Sequence, residues 1–165
     1  MKRTLIAVVI LSGSMPAFAV GYPAGYDPIP FHTALAAAKG DGKPIMLFYS
    51  QVHCGPCMRM RGFLDTSVAR NALAGKVHAV VIDTNNTPDL LMSMMSKHDN
   101  YGLRRILIAG KPTSTPQIAF LASSGELLCS VGRGFNHGEH AAKVATWVLS
   151  NNSDYTQRSF KACGE

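Results

Sequence analysis

The sequence predicts an α/β fold, a mixed β-sheet with helices on both of its faces. The prediction rests on the order of segments along the chain. Segments of helical period alternate with short apolar segments that are typical of buried strands. Near the end of the chain two strand segments follow each other directly, joined by the turn Ser123-Ser124-Gly125. The resulting order of helix, strand, helix, strand, helix, hairpin and helix is that of a layered α/β domain.

The predicted elements follow from hydrophobic pattern and from start and stop signals. In order, we predict a helix at 31–39, a strand at 44–49, helices at 56–63 and 66–73, a strand at 77–82, a helix from 87 to about 102, strands at 117–122 and 126–131, and a helix at 137–149. Gly40 and Gly42 end the first helix, and Thr87 is suited to cap the helix that follows it. The strand at 77–82 is apolar on both faces, so we expect it to be central in the sheet.

The two ends of the chain are expected to lie outside the folded domain. Residues 1–19 have a basic start, an apolar run and the cleavage site Ala17-Phe18-Ala19, which together are typical of a secretory signal peptide. Proline and glycine mark residues 20–30 as an extended lead-in. We therefore place one domain at residues 31–150, followed by a polar C-terminal tail at residues 151–165.

Charge and hydropathy narrow the classes of partner. The 16 basic residues include Lys2 and Arg3, so 14 remain against 10 acidic residues after signal cleavage. They are scattered, and no tract suits a phosphate backbone, which argues against nucleic acid. No later stretch is long and apolar enough to span a bilayer, so we expect no membrane insertion after signal cleavage. Export leads to an oxidising compartment, where disulfides persist.

Two cysteines three positions apart, Cys54 and Cys57, lie where the strand at 44–49 turns into a helix. The positive end of a helix stabilises a thiolate in its first turn. We therefore assign Cys54 as the attacking nucleophile and Cys57, one turn further on, as the resolving thiol. Such a pair can exchange disulfides without a bound cofactor and without a metal. The alternative is a structural disulfide that does not exchange.

Neighbouring residues are expected to support the two thiols. His53 and Arg59 are close in sequence to Cys54, and we expect them to favour its thiolate. Gly55 and Pro56 separate the cysteines, and proline is also an ordinary residue of a first helical turn. A histidine at such a position is nevertheless more often a solvent-exposed loop residue than a group that tunes a thiolate.

These motifs resemble the thioredoxin family, which carries Cys-Gly-Pro-Cys after its first core strand. A second motif supports the resemblance, because Thr115-Pro116 directly precedes the strand at 117–122, where the family has a cis-proline that faces the two cysteines. Gly125, Gly132 and residues 101–104 also fall at positions that resemble the family pattern. The resemblance implies a cis Pro116 and a Thr115 backbone that pairs with an extended substrate.

The resemblance covers roughly residues 31–149 and is closest to exported bacterial thioredoxin-like domains, such as the C-terminal domain of DsbD. It implies a periplasmic thiol–disulfide oxidoreductase that acts on protein thiols and disulfides and is recharged by an upstream redox partner. The Gly-Pro pair between the cysteines resembles reducing thioredoxins, which favours reduction or isomerisation over oxidation.

Three features depart from the family pattern. His53 stands where the family usually has Trp, and Phe48 stands where thioredoxin has a buried Asp that is assigned to deprotonating the second thiol. Residues 105–114 form an insertion next to Pro116. The insertion is partly apolar, follows Arg104 and begins with Arg105, so we expect this region and these two arginines to bind a protein substrate or partner. The alternative is that the insertion is tucked onto the domain.

The two remaining cysteines, Cys129 and Cys163, are expected to form a structural disulfide. Four cysteines are an even number in an exported chain. Cys129 is expected to face the same side of its strand as Leu127 and Val131, among apolar residues. A bond to Cys163 would fasten the polar tail to the sheet. Otherwise Cys129 is a buried free thiol and Cys163 an exposed one.

Two other functions remain compatible with the sequence. One is a copper(I) chaperone, since thiolate and thioether sulfur select Cu(I). Its ligands would be His53, Cys54, Cys57 and Met58. Against it, methionines such as Met58 are expected to fill the core. The other is a non-catalytic assembly factor of the cell envelope that docks through the insertion.

Overall fold

A computed structural model describes residues 25–51, 53–83, 107–108, 111–112, 115–131, 134–152 and 163. In these ranges the helices are α1 (Phe31–Asp41), α2 (Gly55–Leu64), α3 (Ser67–Leu73) and α4 (Gly138–Asn151). The strands are β1 (Ile45–Ser50), β2 (His78–Asp83), β3 (Leu107–Ile108), β4 (Lys111–Pro112), β5 (Gln117–Leu121) and β6 (Leu127–Val131). None of the helices in these ranges is long and apolar enough to cross a bilayer.

Some of the sequence-based assignments lie outside the described residues. These are the signal peptide at 1–19, the first part of the lead-in, the helix expected from residue 87 and most of the tail. The other helices and strands fall within a few residues of their expected positions. α1 is longer than expected because it continues through Gly40, and it ends where Gly42 adopts a left-handed conformation at φ 76°.

Four strands form one mixed sheet in the order β2-β1-β5-β6. β1 and β2 are parallel, and α2 and α3 lie between them in the chain. β5 runs antiparallel to both β1 and β6. β3 and β4 form a separate antiparallel ladder within the insertion, where we expected no strand. The predicted α/β fold with a mixed sheet is confirmed.

β1 carries the two cores of the domain because its side chains alternate between the faces of the sheet. Met46 and Phe48 belong to the core that includes residues of α2, α3 and α4, whereas Ile45 and Tyr49 belong to the core that includes residues of α1. All six residues of β1 are buried. A strand covered on both faces cannot shift its register without exposing one apolar set, so β1 is a rigid base for the residues that follow it.

Two details of the sheet differ from the sequence-based expectation. β2 is not central, because within the described sheet it pairs only with β1. Its outer side is partly covered by the lead-in, where the Ile29 N–H donates to the Ala79 carbonyl at 3.0 Å. In β6, a register shift opposite Phe120 and Leu121 places Leu127 in the α1 core, although Cys129 lies in the other core.

The lead-in is also fixed to the domain through Tyr26. The ring is buried, and its hydroxyl donates to the Leu64 carbonyl at the end of α2 at 3.2 Å. Burial raises the pKa of Tyr26 to about 12, so the hydroxyl remains a proton donor across the physiological range. The contact holds the C-terminal end of the helix whose N-terminal end carries the cysteines.

Candidate redox site

The first functional side chain, Cys54, is the N-cap of α2 and lies four residues after the end of β1. Its backbone is extended, with φ −88° and ψ 98°, and His53 before it has a left-handed φ of 62°. Pro56 lies in the first turn, where its fixed φ suits a helix and its missing N–H costs no hydrogen bond. The local sequence therefore turns the chain from a buried strand into a helix at Cys54.

Cys54 and Cys57 form a disulfide with an S–S distance of 1.97 Å and a Cα–Cα distance of 5.2 Å. The two residues differ in exposure, because Cys54 is 5 % exposed and Cys57 is 0 % exposed. The Cys57 backbone N–H donates to Cys54 Sγ at 3.1 Å. A hydrogen bond to sulfur and the positive end of α2 both favour a thiolate at Cys54 when the disulfide is reduced.

A second segment, Thr115-Pro116, reaches the same disulfide from the start of β5. The peptide bond between these two residues is cis. Thr115 Oγ1 lies 4.0 Å from Cys54 Sγ, and Pro116 is buried. β5 pairs with β1, with Gln117 opposite Tyr49, so the sheet itself brings the two segments together.

The charged residues of α2, the helix that carries the disulfide, are both arginines. The first turn of α2 has no acidic residue, and Arg59 is exposed on the same helix. Arg61, one turn after Cys57, donates from Nη2 to Ser50 Oγ at 3.5 Å. This contact at the end of β1 was not foreseen from the sequence. It places a second guanidinium of the thiol-bearing helix at the end of β1, where Asp83 of β2 pairs opposite Ser50.

Phe48 is an apolar residue at the position where thioredoxin has a buried Asp. Phe48 is fully buried and lies in the same core as Cys54 and Cys57. A phenyl ring offers no site for the proton that Cys57 must lose during resolution. Phe48 therefore takes no part in that proton transfer.

The remaining site residues are distributed as follows. Gly55 and Pro56 are exposed on the first turn of α2, whereas Arg104, Arg105 and Gly132 lie outside the described residues. Cys129 and Cys163 form a second disulfide, with an S–S distance of 2.14 Å and a Cα–Cα distance of 5.1 Å. Both are buried, so residue 163 of the tail is fixed to β6.

The environment of Met58 differs from the prediction that it fills the core. Met58 is 67 % exposed, whereas Met60 is 1 % exposed and fills the core as expected. Helical spacing gives the reason, because the buried residues of α2 are Cys57, Met60 and Leu64, and Met58 lies off that stripe. In the part of the chain that is described, no group of three or more His, Cys, Asp or Glu side chains could hold a metal ion.

α2 contacts the loop that precedes α4 through the side chain of Met60. The Phe135 N–H donates to Met60 Sδ at 3.0 Å, and Gly134 before it has a φ of 72°. A Cβ at Gly134 would lie 1.2 Å from Met60 Cε. The left-handed φ favours glycine at this position, and a Cβ there would displace the end of the Met60 side chain. The Met60–Phe135 contact joins the helix that carries both thiols to this loop.

Gly134→Ala is expected to lower the free energy of unfolding by about 2–3 kcal/mol, because it combines overpacking with a left-handed backbone. Gly62→Ala is the matched control on α2, since a Cβ there has no heavy atom within 4 Å. The control should be neutral or stabilise by up to about 1 kcal/mol. Urea unfolding of both variants measures the difference. Equal free energies of unfolding would contradict the proposed requirement for glycine at position 134.

The comparisons with known proteins agree with this geometry. The family of thioredoxin-like domains matches residues 31–146. A comparison with curated proteins finds no match. Among solved structures, "DsbH Oxidoreductase" is 22 % identical, with 85 % of this chain and 93 % of that chain covered and a TM-score of 0.55. A thioredoxin from Thermus thermophilus is 16 % identical, with 82 % and 99 % covered and a TM-score of 0.59.

At these identities the two structures show a shared fold, whereas the family match spans most of the chain. The Cys-x-x-Cys disulfide lies where that fold places it, at the start of the helix after a central strand. The chain belongs to the thioredoxin-like family, and its Cys54–Cys57 pair is the redox centre of a thiol–disulfide oxidoreductase.

Proposed function

We propose that this oxidoreductase is a bacterial periplasmic reductase or isomerase of protein disulfides. The observation that carries the proposal is the asymmetry of the disulfide, in which Cys54 is 5 % exposed and hydrogen-bonded while Cys57 is 0 % exposed. Of the two cysteines, Cys54 is therefore the one that we place in contact with a substrate. The similarity to a structure described as an oxidoreductase is consistent with this activity.

The proposed reaction moves two electrons from the reduced pair to a substrate disulfide. The Cys54 thiolate attacks one substrate sulfur, an S–S bond forms between the proteins, and the other substrate sulfur leaves as a thiolate. Cys57 then loses its proton and attacks Cys54 Sγ, which breaks the mixed disulfide and releases the second substrate thiolate. The substrate ends as a dithiol and the enzyme ends as the observed Cys54–Cys57 disulfide.

Further features support reduction as the direction of exchange and the periplasm as the location of the protein. Gly55 and Pro56 between the thiols resemble reducing thioredoxins. Residues 1–19 have the pattern of a signal peptide, so the pair would work in a compartment where disulfides form. An enzyme that reduces disulfides there needs an upstream partner that returns electrons to Cys54 and Cys57.

The decisive measurement is the reduction potential of the Cys54/Cys57 pair, determined against glutathione buffers. A value between the about −270 mV of thioredoxin and the about −180 mV of protein disulfide isomerase supports reduction or isomerisation. A value near the about −120 mV of DsbA would reverse the proposed direction. Reduction of insulin by the wild-type protein, with Cys54→Ser as the control, tests exchange itself and separates the enzyme from a non-catalytic assembly factor.

A copper(I) chaperone would give a different result in the same samples. The reduced protein would bind Cu(I) tightly in competition with a chelator and would leave insulin disulfides intact. The combination of insulin turnover and weak Cu(I) binding supports the oxidoreductase.

The insertion at residues 105–114 provides a test of partner recognition. In the described part of this segment, β3 and β4 pair antiparallel, with Leu107 opposite Pro112. Replacement of the segment by a short Gly-Ser link is expected to preserve reduction of a small disulfide reagent and to weaken exchange with the native protein partner by about tenfold or more, because binding residues concentrate on such loops. Equal loss on both substrates would indicate a structural role.

A further inference from the structure

The exposed thioether of Met58 lies one helical turn from the sulfur that attacks the substrate. Its backbone N–H donates to the Cys54 carbonyl at 3.1 Å, which fixes the spacing of the two residues. Long side chains on a helix lean toward the N-terminus. A Met58 side chain in this common orientation extends back along the turn that begins at Cys54.

The described part of the chain leaves the Met58 side chain exposed to solvent. Counted from the N-cap Cys54, His53 is the residue before the cap and Met58 is the fourth residue after it. Side chains at these two positions commonly pack against each other and fix the start of a helix. Here both His53 and Met58 are exposed, so an apolar thioether remains available to a binding partner.

The disulfide itself limits how a substrate can approach. Cys54 is only 5 % exposed, and Thr115 Oγ1 lies 4.0 Å from its sulfur. A substrate sulfur must come close to the helix start to react, and extended chain advances by about 3.3 Å per residue. Residues one or two positions from the attacked cysteine are therefore within reach of the first turn of α2.

We infer that Met58 is a specificity-determining residue that contacts an apolar side chain next to the cysteine under attack in the substrate protein. The inference rests on the proposed exchange activity and adds the substrate class, extended segments in which an apolar residue flanks the cystine. Methionine suits this role because its flexible, polarisable side chain packs against apolar groups of varied shape. The neighbouring Arg59 is exposed and positively charged, so the surface favours apolar or acidic segments over basic ones.

The test uses two disulfide peptides that are identical except for Leu or Ser beside the attacked cysteine, with 2-hydroxyethyl disulfide as a small reagent. The full chain is compared as wild type, Met58→Gln and Met58→Leu. Val68→Gln is the matched control, because Val68 is also an exposed apolar residue but belongs to α3. Rates of exchange give kcat and KM for each peptide.

The wild type is expected to prefer the Leu peptide about tenfold in kcat/KM, mainly through KM, as expected for burial of one apolar side chain. Met58→Gln should reduce that preference to about one, Met58→Leu should restore it, and Val68→Gln should retain it. The small reagent should show less than about a twofold difference between Met58→Gln and wild type.

Four results would overturn the inference. Wild-type exchange at equal rates with both peptides would overturn it alone and leave the proposed function standing. A preference that survives in Met58→Gln would assign specificity to other residues. An equal loss on both peptides and the small reagent would mean that Met58 acts on the Cys54 sulfur instead of on the substrate. A wild-type protein that exchanges with none of the three disulfides would remove the proposed function together with this inference.

Discussion

Cys54→Ser is expected to abolish disulfide exchange, with a loss of at least about a thousandfold, because a serine hydroxyl cannot replace the attacking thiolate. Cys57→Ser is expected to behave differently and to accumulate mixed disulfides with substrates. In that variant Cys54 still attacks, but nothing resolves the bond that it forms. The structure supports this division, since Cys54 accepts the Cys57 N–H at 3.1 Å and Cys57 is fully buried.

Two measurements check the assignment. Mixed disulfides of Cys57→Ser are detected as adducts on non-reducing gels that disappear with reductant. Rates of alkylation by iodoacetamide in the reduced wild-type protein, resolved by mass spectrometry, should be higher for Cys54 than for Cys57 at neutral pH. Faster alkylation of Cys57 would reverse the two roles.

The elements next to the disulfide were predictable because their signals are local. The strand before Cys54, the helix after Pro56 and the position of Thr115-Pro116 before β5 are all visible in short stretches of sequence. The exposed position of Met58 could also have been predicted from the sequence, since the spacing of Cys57, Met60 and Leu64 already defines the buried stripe of α2. That error came from treating methionine as a core residue by type and not by position.

The details that were not predictable depend on contacts between distant parts of the chain. β2 is apolar on both faces, yet a helix core and a lead-in can cover such a strand without a second neighbouring strand. The register shift at Phe120 and Leu121 moves Leu127 to the other face, and no pattern within β6 indicates it. The contact of Gly134 with Met60 joins residues 74 positions apart, so only the folded chain shows why glycine is needed there.

The second large effect is expected from removal of the Cys129–Cys163 disulfide. The bond closes a loop of 34 residues, and the chain-entropy estimate for a loop of that length is about 3–4 kcal/mol. A variant with both cysteines replaced should lose about that much free energy of unfolding in urea. Its rate of disulfide exchange should stay near that of the wild type, because Cys129 lies among apolar residues without a group that would activate a thiol.

The choice of replacement decides whether the result can be interpreted. Cys129 is 2 % exposed and Cys163 is 6 % exposed, so serine at these positions would bury hydroxyl groups in addition to removing the bond. The double alanine variant therefore measures loss of the cross-link more directly, and the double serine variant gives the added cost of the hydroxyls. Reductant cannot replace these variants, because it would also open Cys54–Cys57. A large fall in exchange rate in a double alanine variant that is still folded would mean that the second disulfide takes part in turnover, since a purely structural bond changes stability and leaves the chemistry at Cys54 intact.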